Sequence, residues 1–452
     1  MGQLTLPEPI APFVATLAAL IDARQADLLQ PLFQGILFAH GRRTATAWFR
    51  AGDCAADFRR GYHLLGTLGR DRIDGYAALL VSRLRRAIDP GRHWLFALDD
   101  SPTQRYGPCV EGAGIHHNPT PGPTHQRYLY GHVWVTLGWV VRHPQWHTLS
   151  LPLGADLYIR EKDVAKIDAD RRPKFQTKLE LAAARLDWLA EQCHDQSVPV
   201  WIVSDGGYTK RPVFKAAAAA GRAHHVPVVL VGRLRQDAAL WSLPPVLPEG
   251  QKRSRGQPRK YGTERLHLAK RAAHPRGWQE VECFQYQQVV NKKVKTFLAT
   301  YKPAGGLIRV VIVKEKDGWL PYYCQEVTAS VADILEAVAG RTSLEQTHAD
   351  VKEVEGAGEQ QLRYWRANVG AYNACLWAHT LVEWWAWDKA AAELCDRSGS
   401  PWDTTERRVS HAEKRKALQQ HCLREEFWRR WGGRPCPPEI RAAVEMVLEM
   451  AG

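Results

Sequence analysis

The sequence lacks the marks of several common classes. None of its nine cysteines stands in a C-x-x-C pair. That argues against a zinc ribbon and a disulfide framework and favours a reduced, cytoplasmic setting. No P-loop and no G-x-G-x-x-G fingerprint occurs, so neither ATP nor a nicotinamide dinucleotide is implied. Met1 to Pro12 has no basic stretch followed by an apolar core, so no secretory leader is expected. The most apolar late stretch, Ala371 to Trp387, contains Asn373, His379 and Glu383; it reads as a buried helix, not a membrane span. No internal repeat is visible. Acidic side chains are in deficit, 48 against 61 lysines and arginines, for a net charge of +13. A cationic chain gains by releasing counterions from a polyanion, so nucleic acid leads as a partner and anionic membrane follows.

What is present is an apolar content of 45% over 452 residues, enough for ordinary buried cores in two to four domains. Residues 1–90 read as helical: Phe13 to Phe38 carries apolar residues at helical spacing. Gly41 to Arg50, a break at Ala51-Gly-Asp53 and a further helical run fit either a helix-turn-helix reader of DNA or a plain helical hairpin in a small bundle. Residues 91–231 alternate differently. Trp94 to Leu98 is a short apolar run ending in Asp99 and Asp100, and Tyr128 to Val141 and His147 to Leu153 read as strands. Lys174 to Gln192 is an amphipathic helix; Val198 to Ser204 is a buried-type strand ending at Asp205; Arg211 to Ala220 is a helix and Val226 to Val231 a strand. This order predicts a mixed α/β sheet covered on both faces. Residues 232–330 open with a basic loop and continue as an inserted β region, 331–362 return to helix, and 363–452 form a Trp-rich helical tail.

Asp99 and Asp205 each follow an apolar strand, and ligands gather at the carboxyl ends of strands in open α/β sheets. Strand-end aspartates also serve as turn formers and helix caps. The third piece is the helical segment from Gly340 to Lys352. There Arg341 and Glu345 are four apart and Lys352 lies seven further on, so all three share one helix face. The plain alternative is a surface ion pair followed by a solvated lysine.

These residues carry a resemblance. The spacing of Arg341, Glu345 and Lys352 resembles the R, E and K of the Y-(2)-R-(3)-E-(6)-K motif of DDE transposases from bacterial insertion sequences; Val338 stands at the Tyr position. Leu98-Asp-Asp-Ser-Pro102, Val203-Ser-Asp-Gly-Gly-Tyr208 and Gly232-Arg-Leu-Arg-Gln-Asp-Ala238 also resemble such transposases, and the likeness covers roughly Trp94 to Trp365. The resemblance implies a ribonuclease-H-like core interrupted by a β insertion and flanked by N- and C-terminal helical domains. The N-terminal helices would bind DNA and the C-terminal ones would serve assembly. It implies catalysis by Asp99, Asp205 and Glu345 on two Mg²⁺ ions, or Mn²⁺, with Asp99 or its neighbour Asp100 as the first metal ligand. Mg²⁺ is hard and oxygen-seeking, which suits carboxylates and phosphates. The implied partners are double-stranded DNA, namely the element's terminal inverted repeats and a target, with a homodimer holding two ends and no membrane. The implied place is the bacterial cytoplasm, at the nucleoid. A transposase-derived DNA-binding protein without catalysis and a ribonuclease-H-like nuclease that cuts without joining are the alternatives.

Arg341 and Lys352 would contact phosphate beside the cut. Arg233 and the basic loop with Arg255, Arg259 and Lys260 are further candidates for DNA contact; a flexible basic loop can insert arginines into a narrow groove, or simply be solvated. Trp241, Trp278 and Trp319 are candidates for stacking on an unpaired base, against the commoner fate of core residues. Glu345 and His348 form one E-x-x-H, a motif of di-iron bundles that needs a second copy. His116-His117 has no third ligand at zinc spacing, and residues 117–123 read as a loop beside the site.

Overall fold

The computed structural model describes residues 4–70, 73–118, 126–194, 198–245, 259–398, 401–404 and 407–450. Six helices come first: α1 (Ile10–Ala18), α2 (Ala23–Ala26), α3 (Leu29–Phe38), α4 (Ala45–Ala51), α5 (Phe58–Leu68) and α6 (Ile73–Leu84). The run from Phe13 to Phe38 is thus three helices, not one. Asp22 starts a new one by accepting the Arg24 N–H at 2.9 Å, the signature of an N-cap.

The sheet follows: β1 (Trp94–Gln104), β2 (Gly114–His117), β3 (Tyr128–His143), β4 (His147–Tyr158), helices α7 (Glu161–Val164) and α8 (Lys178–Gln192), β5 (Val200–Ser204), α9 (Arg211–Ala223) and β6 (Val228–Arg233). Helix α8 starts on a capping box, Thr177 with Glu180. The order β4–β3–β1–β5–β6, with β1, β5 and β6 parallel and β3 antiparallel to both β1 and β4, is that of a ribonuclease-H-like sheet.

The later elements are β7 (Leu240–Trp241), β8 (Arg265–Leu266), α10 (Leu268–Ala273), β9 (Gln279–Gln285), β10 (Gln288–Tyr301), β11 (Gly306–Glu315), β12 (Gly318–Cys324), α11 (Val331–Gly340), α12 (Thr342–Glu353), α13 (Trp365–Trp385), α14 (Ala391–Leu394), α15 (His411–Trp431) and α16 (Pro438–Met450). The β-rich segment does not form a layer of its own. Tyr322 to Cys324 of β12 pair antiparallel with Val231 to Arg233 of β6, so β10, β11 and β12 prolong the same 12-stranded sheet.

Alternation along the central strands sorts the core into two layers. Phe96, Leu98, Val200, Ile202 and Leu230 pack with Leu186 and Leu189 of α8 and Val213 and Phe214 of α9. Ala97, Trp201, Val203, Val229 and Val231 pack with Ile334 and Leu335 of α11 and Leu344 of α12. Successive strand residues face opposite sides, so this sheet needs a helix layer on each face to bury both sets.

Helix α13 is nearly all buried and ties the ends of the chain to the sheet. Its Asn373 side chain accepts the Ala155 N–H at 2.8 Å and donates to the Ala155 carbonyl at 3.0 Å, completing an edge of β4. Against it lies α5. A Cβ on Gly370 would come within 2.0 Å of the Leu65 carbonyl oxygen, so the two backbones approach as only glycine permits. Helices from the first ninety residues therefore share one core with the C-terminal helices.

Candidate active site

Asp99 does not end its strand. Strand β1 runs on to Gln104 because β3 keeps pairing with it as far as Gln104↔Gly131. The parallel partner stops earlier, at Leu98↔Ser204. Asp99 therefore lies where β5 parts from β1, and Asp205, one residue past Ser204, stands across the opening. One strand further, Ser204↔Gly232 is the last pair of β5 with β6, which sets exposed Arg233 beside Asp205. Three strands thus deliver Asp99, Asp205 and Arg233 to one rim.

Strand alternation separates the two neighbouring aspartates. Asp99 follows Ala97 onto the α11–α12 face. Its Oδ2 accepts from Arg341 Nη1 at 2.6 Å, and its Oδ1 accepts the Asp100 N–H at 2.9 Å. The other arm of Arg341 reaches Glu345 Oε1, also at 2.6 Å. One guanidinium, set between α11 and α12, thus joins the strand carboxylate to the helix carboxylate. Asp100 follows Leu98 onto the α8 face, where Lys178 Nζ lies 2.6 Å from Oδ2 and the Tyr208 hydroxyl donates to Oδ1 at 3.2 Å. Asp205 accepts the Gly207 N–H at 2.8 Å in a tight turn.

Burial dominates the electrostatics. The Asp99 side chain is 14% exposed, and desolvation raises its pKa to about 7; Arg341 and the Asp100 N–H oppose the rise, while the charges of Asp205 and Asp100 add to it. Lys352, further along α12, donates to Ser101 Oγ at 2.6 Å, and burial lowers its ammonium to about 8. The oxygens of Asp99, Asp205 and Glu345 do not all lie within 4.8 Å of one another; Arg341 stands between two of them.

The remaining candidates are dispersed. Arg259 and Lys260 are exposed, and Arg255 with most of the basic loop lies outside the described residues. Trp241, Trp278 and Trp319 are half-buried rather than free. Lysine ammonium groups cover the first two, Lys302 at 5.0 Å and Lys295 at 4.7 Å. His348 is buried with neither ring nitrogen bonded. His116 and His117 belong to β2, opposite Leu129 and Tyr128, and residues 119–125 of the neighbouring loop lie outside the described residues.

One constellation escaped sequence reasoning. Among the described residues, the one group of three histidine or acidic side chains within 4.8 Å of one another is His379, Glu383 and His411, all buried. His411 Nδ1 is 2.8 Å from Glu383 Oε1 and its Nε2 is 3.0 Å from Glu355 Oε1. Lys414 Nζ adds a 2.5 Å contact to Glu383. Despite burial, these carboxylates raise His411 to about 9. These contacts form an internal ion network joining α15 to α13 and to the segment after α12. Only the i,i+4 spacing of His379 and Glu383 was legible beforehand.

A family model described as DDE superfamily endonuclease matches residues 16–298. The chain belongs to the DDE superfamily of endonucleases. The match includes Asp99 and Asp205 and ends before Glu345. No curated protein matches the chain. As a DDE endonuclease the protein has a divalent-metal-dependent nuclease or transposase type of function with DNA as substrate. No described helix is long and apolar enough to cross a membrane.

Proposed function

We propose that this DDE endonuclease is a transposase that cuts and rejoins the ends of an insertion sequence, with Asp99, Asp205 and Glu345 as its catalytic carboxylates. The observation that carries the reading is the Arg341 bridge. Asp99 and Glu345, distant in sequence, share one guanidinium at 2.6 Å each, at the place where β5 leaves β1 and Asp205 faces them. The spacing of Arg341, Glu345 and Lys352 supports the Y-R-E-K group, with Val338 in the Tyr position.

The donor set suits a hard divalent ion. The three side chains offer carboxylate oxygens, as Mg²⁺ or Mn²⁺ prefers. A cationic guanidinium already lies between two of them, which supports a site made for positive charge. Bound divalent ions would supply Lewis-acid activation of the attacking oxygen and stabilisation of the leaving one. The chain's own groups do the rest. With a divalent ion bound, Asp99 would be one of its holders, and Arg341, which contacts Asp99 and Glu345, would be placed to meet the substrate's phosphate. Lys352, which among the described residues donates to Ser101 Oγ, would offer a second phosphate contact. Arg233 adds positive charge at the rim, while Arg255, Arg259 and Lys260 of the basic loop would contact DNA further out. Asp100, held by Lys178 and Tyr208, keeps the α8 face of the strand in place. The same carboxylates would serve water in cleavage and a DNA 3′-hydroxyl in joining. Two ends held together call for a homodimer on terminal repeats and target DNA, at the nucleoid of the cytoplasm.

The test is cleavage and joining of DNA bearing the element's ends, with wild type, Asp205→Asn and Glu345→Gln. Both activities should fall at least about a hundredfold in each variant, since even outer-shell changes at metal sites cost 10–100-fold, while DNA binding persists. Undiminished activity in either variant removes that residue from the mechanism. Nicked DNA without joined product makes the protein a nuclease, and binding without any cutting makes it a DNA-binding protein.

A further inference from the structure

Beside the carboxylates, on the side of Lys352, opens a cavity of about 1070 Å³. Its walls are the exit of β1 from Pro102 to Tyr106, the turn at 107–110 and the segment 357–363, with Arg42 reaching in from the N-terminal helices.

The cavity is built around positive charge without its complement. Arg105 is 6% exposed. Its Nε donates to His132 Nδ1 at 3.1 Å and its Nη1 to the Gly358 carbonyl. His132 is neutral, pushed down to about 3 by burial and by Arg105 itself. No carboxylate pairs with Arg105 among the described residues, and burial lowers it to about 10 against small opposing effects of Cys375 and Tyr372. Lys352 has a hydroxyl for its partner. Arg42 and Arg363 line the mouth, both exposed. The cavity's one acid, Glu359, accepts the Arg43 N–H at 2.6 Å. Burying a cation without a counter-charge is expensive, so a site that keeps two of them half-satisfied is prepared for an anion. Apart from Thr103, Gln104 and Gln361 the rest of the lining is largely apolar, including Pro102, Pro108 and Leu362, and Tyr106 stands 77% exposed at the lip. An apolar wall and a free aromatic ring suit a nucleobase, and converging cations suit its phosphate.

We propose that this cavity seats one unstacked nucleotide of the DNA strand leaving the carboxylates, its phosphate against Arg105, Lys352 and Arg363 and its base against Tyr106. The proposal rests on the DNA-processing reading of the adjacent carboxylates. It adds where the strand goes and gives the strand a contact that does not depend on base identity. The cavity is separate from the three tryptophans singled out in the sequence, and apart from Lys352 the contacts it offers, Arg105, Arg363 and Tyr106, belong to no motif.

Cys109 supplies a probe. It lines the cavity and is the one exposed cysteine of the nine. The full chain, in EDTA so that no cutting occurs, is labelled with a bulky maleimide and the Cys109 peptide is quantified. Three competitors are compared: duplex DNA with a single-stranded tail, a deoxynucleoside monophosphate, and inorganic phosphate. The expected result is loss of Cys109 labelling with tailed DNA and unchanged labelling with the other two. Tyr106→Ala should restore labelling and weaken tailed-DNA binding roughly tenfold, the scale of one base–aromatic stack. Arg363→Ala should lower the slope of log affinity against log salt by about 1. Both are changes at exposed residues, so both variants should fold and report on the cavity. Unchanged labelling in a complex shown by anisotropy to be saturated with DNA overturns the proposal. Protection by the mononucleotide alone overturns it in favour of a free-nucleotide site. Set beside the separate Mg²⁺ cleavage assay, cleavage there with no protection here removes only the cavity's role; protection here with no cleavage there leaves the cavity and removes the catalytic reading.

Discussion

Asp99→Asn should stabilise the metal-free protein, and by an amount that grows with pH. Burial moves Asp99 from its ordinary 3.8 to about 7, and each pK unit corresponds to about 1.4 kcal/mol. The ionised carboxylate therefore destabilises the fold by about 4 kcal/mol. With the side chain only 14% exposed, solvent screens little of this. The folded state holds the Asp99 proton more tightly than the unfolded chain does. Its contribution to stability is thus full below the unfolded value near 4 and is lost as pH rises through about 7. Asparagine carries no such proton. The stability gap between Asp99→Asn and wild type should widen from about 2 kcal/mol at pH 5 to about 4 kcal/mol at pH 8. Urea unfolding in EDTA, followed by the fluorescence of the 18 tryptophans, measures it. Saturating Mg²⁺ at pH 8 should stabilise wild type and leave Asp99→Asn unmoved. A gap that stays constant from pH 5 to pH 8 would refute the argument, because a pH-independent offset reflects altered packing rather than a buried charge.

Two further outcomes concern the scaffold. Gly370→Ala puts a methyl 2.0 Å from the Leu65 carbonyl oxygen and should lower stability by about 3 kcal/mol or more. Gly66→Ala, on the same α5 but with nothing within 4 Å, should stabilise slightly, by about 0.5–1 kcal/mol; paired thermal melts that fail to separate the two would contradict the close α5–α13 approach. Glu383→Gln leaves His411 and Lys414 buried with one carboxylate fewer and should cost about 3–5 kcal/mol. Because His411 is raised to about 9, wild type should also lose stability as pH climbs through that value, and EDTA should do no more than undo the stabilisation that Mg²⁺ gives at Asp99; outright unfolding by chelator would mean a metal, not an ion network, holds these helices.

Much of the fold was legible because it is written in local periodicity. The buried-type runs at Val198–Ser204 and Val226–Val231, the amphipathic α8 and the alternation of strand and helix gave a mixed sheet covered on both faces. The turn glycines after Asp205 and the four-residue step from Arg341 to Glu345 depend on a few neighbouring residues, and these too could be read directly. Which of Asp99 and Asp100 meets Arg341 could not. Two adjacent strand residues differ only in the face they take, and what covers each face is settled by α8 and α12, far away in the chain. The same limit hid the stop of β5 at Ser204 beside a strand that continues, the pairing of β12 onto β6, and the Gly370 approach of α13 to α5. It also hid the ion network around His411 and the uncompensated Arg105. Propensity, capping and amphipathic spacing act over a few residues and leave a trace in sequence. Burial, desolvation and the meeting of charges depend on which surfaces are brought together, and only the packed chain decides that.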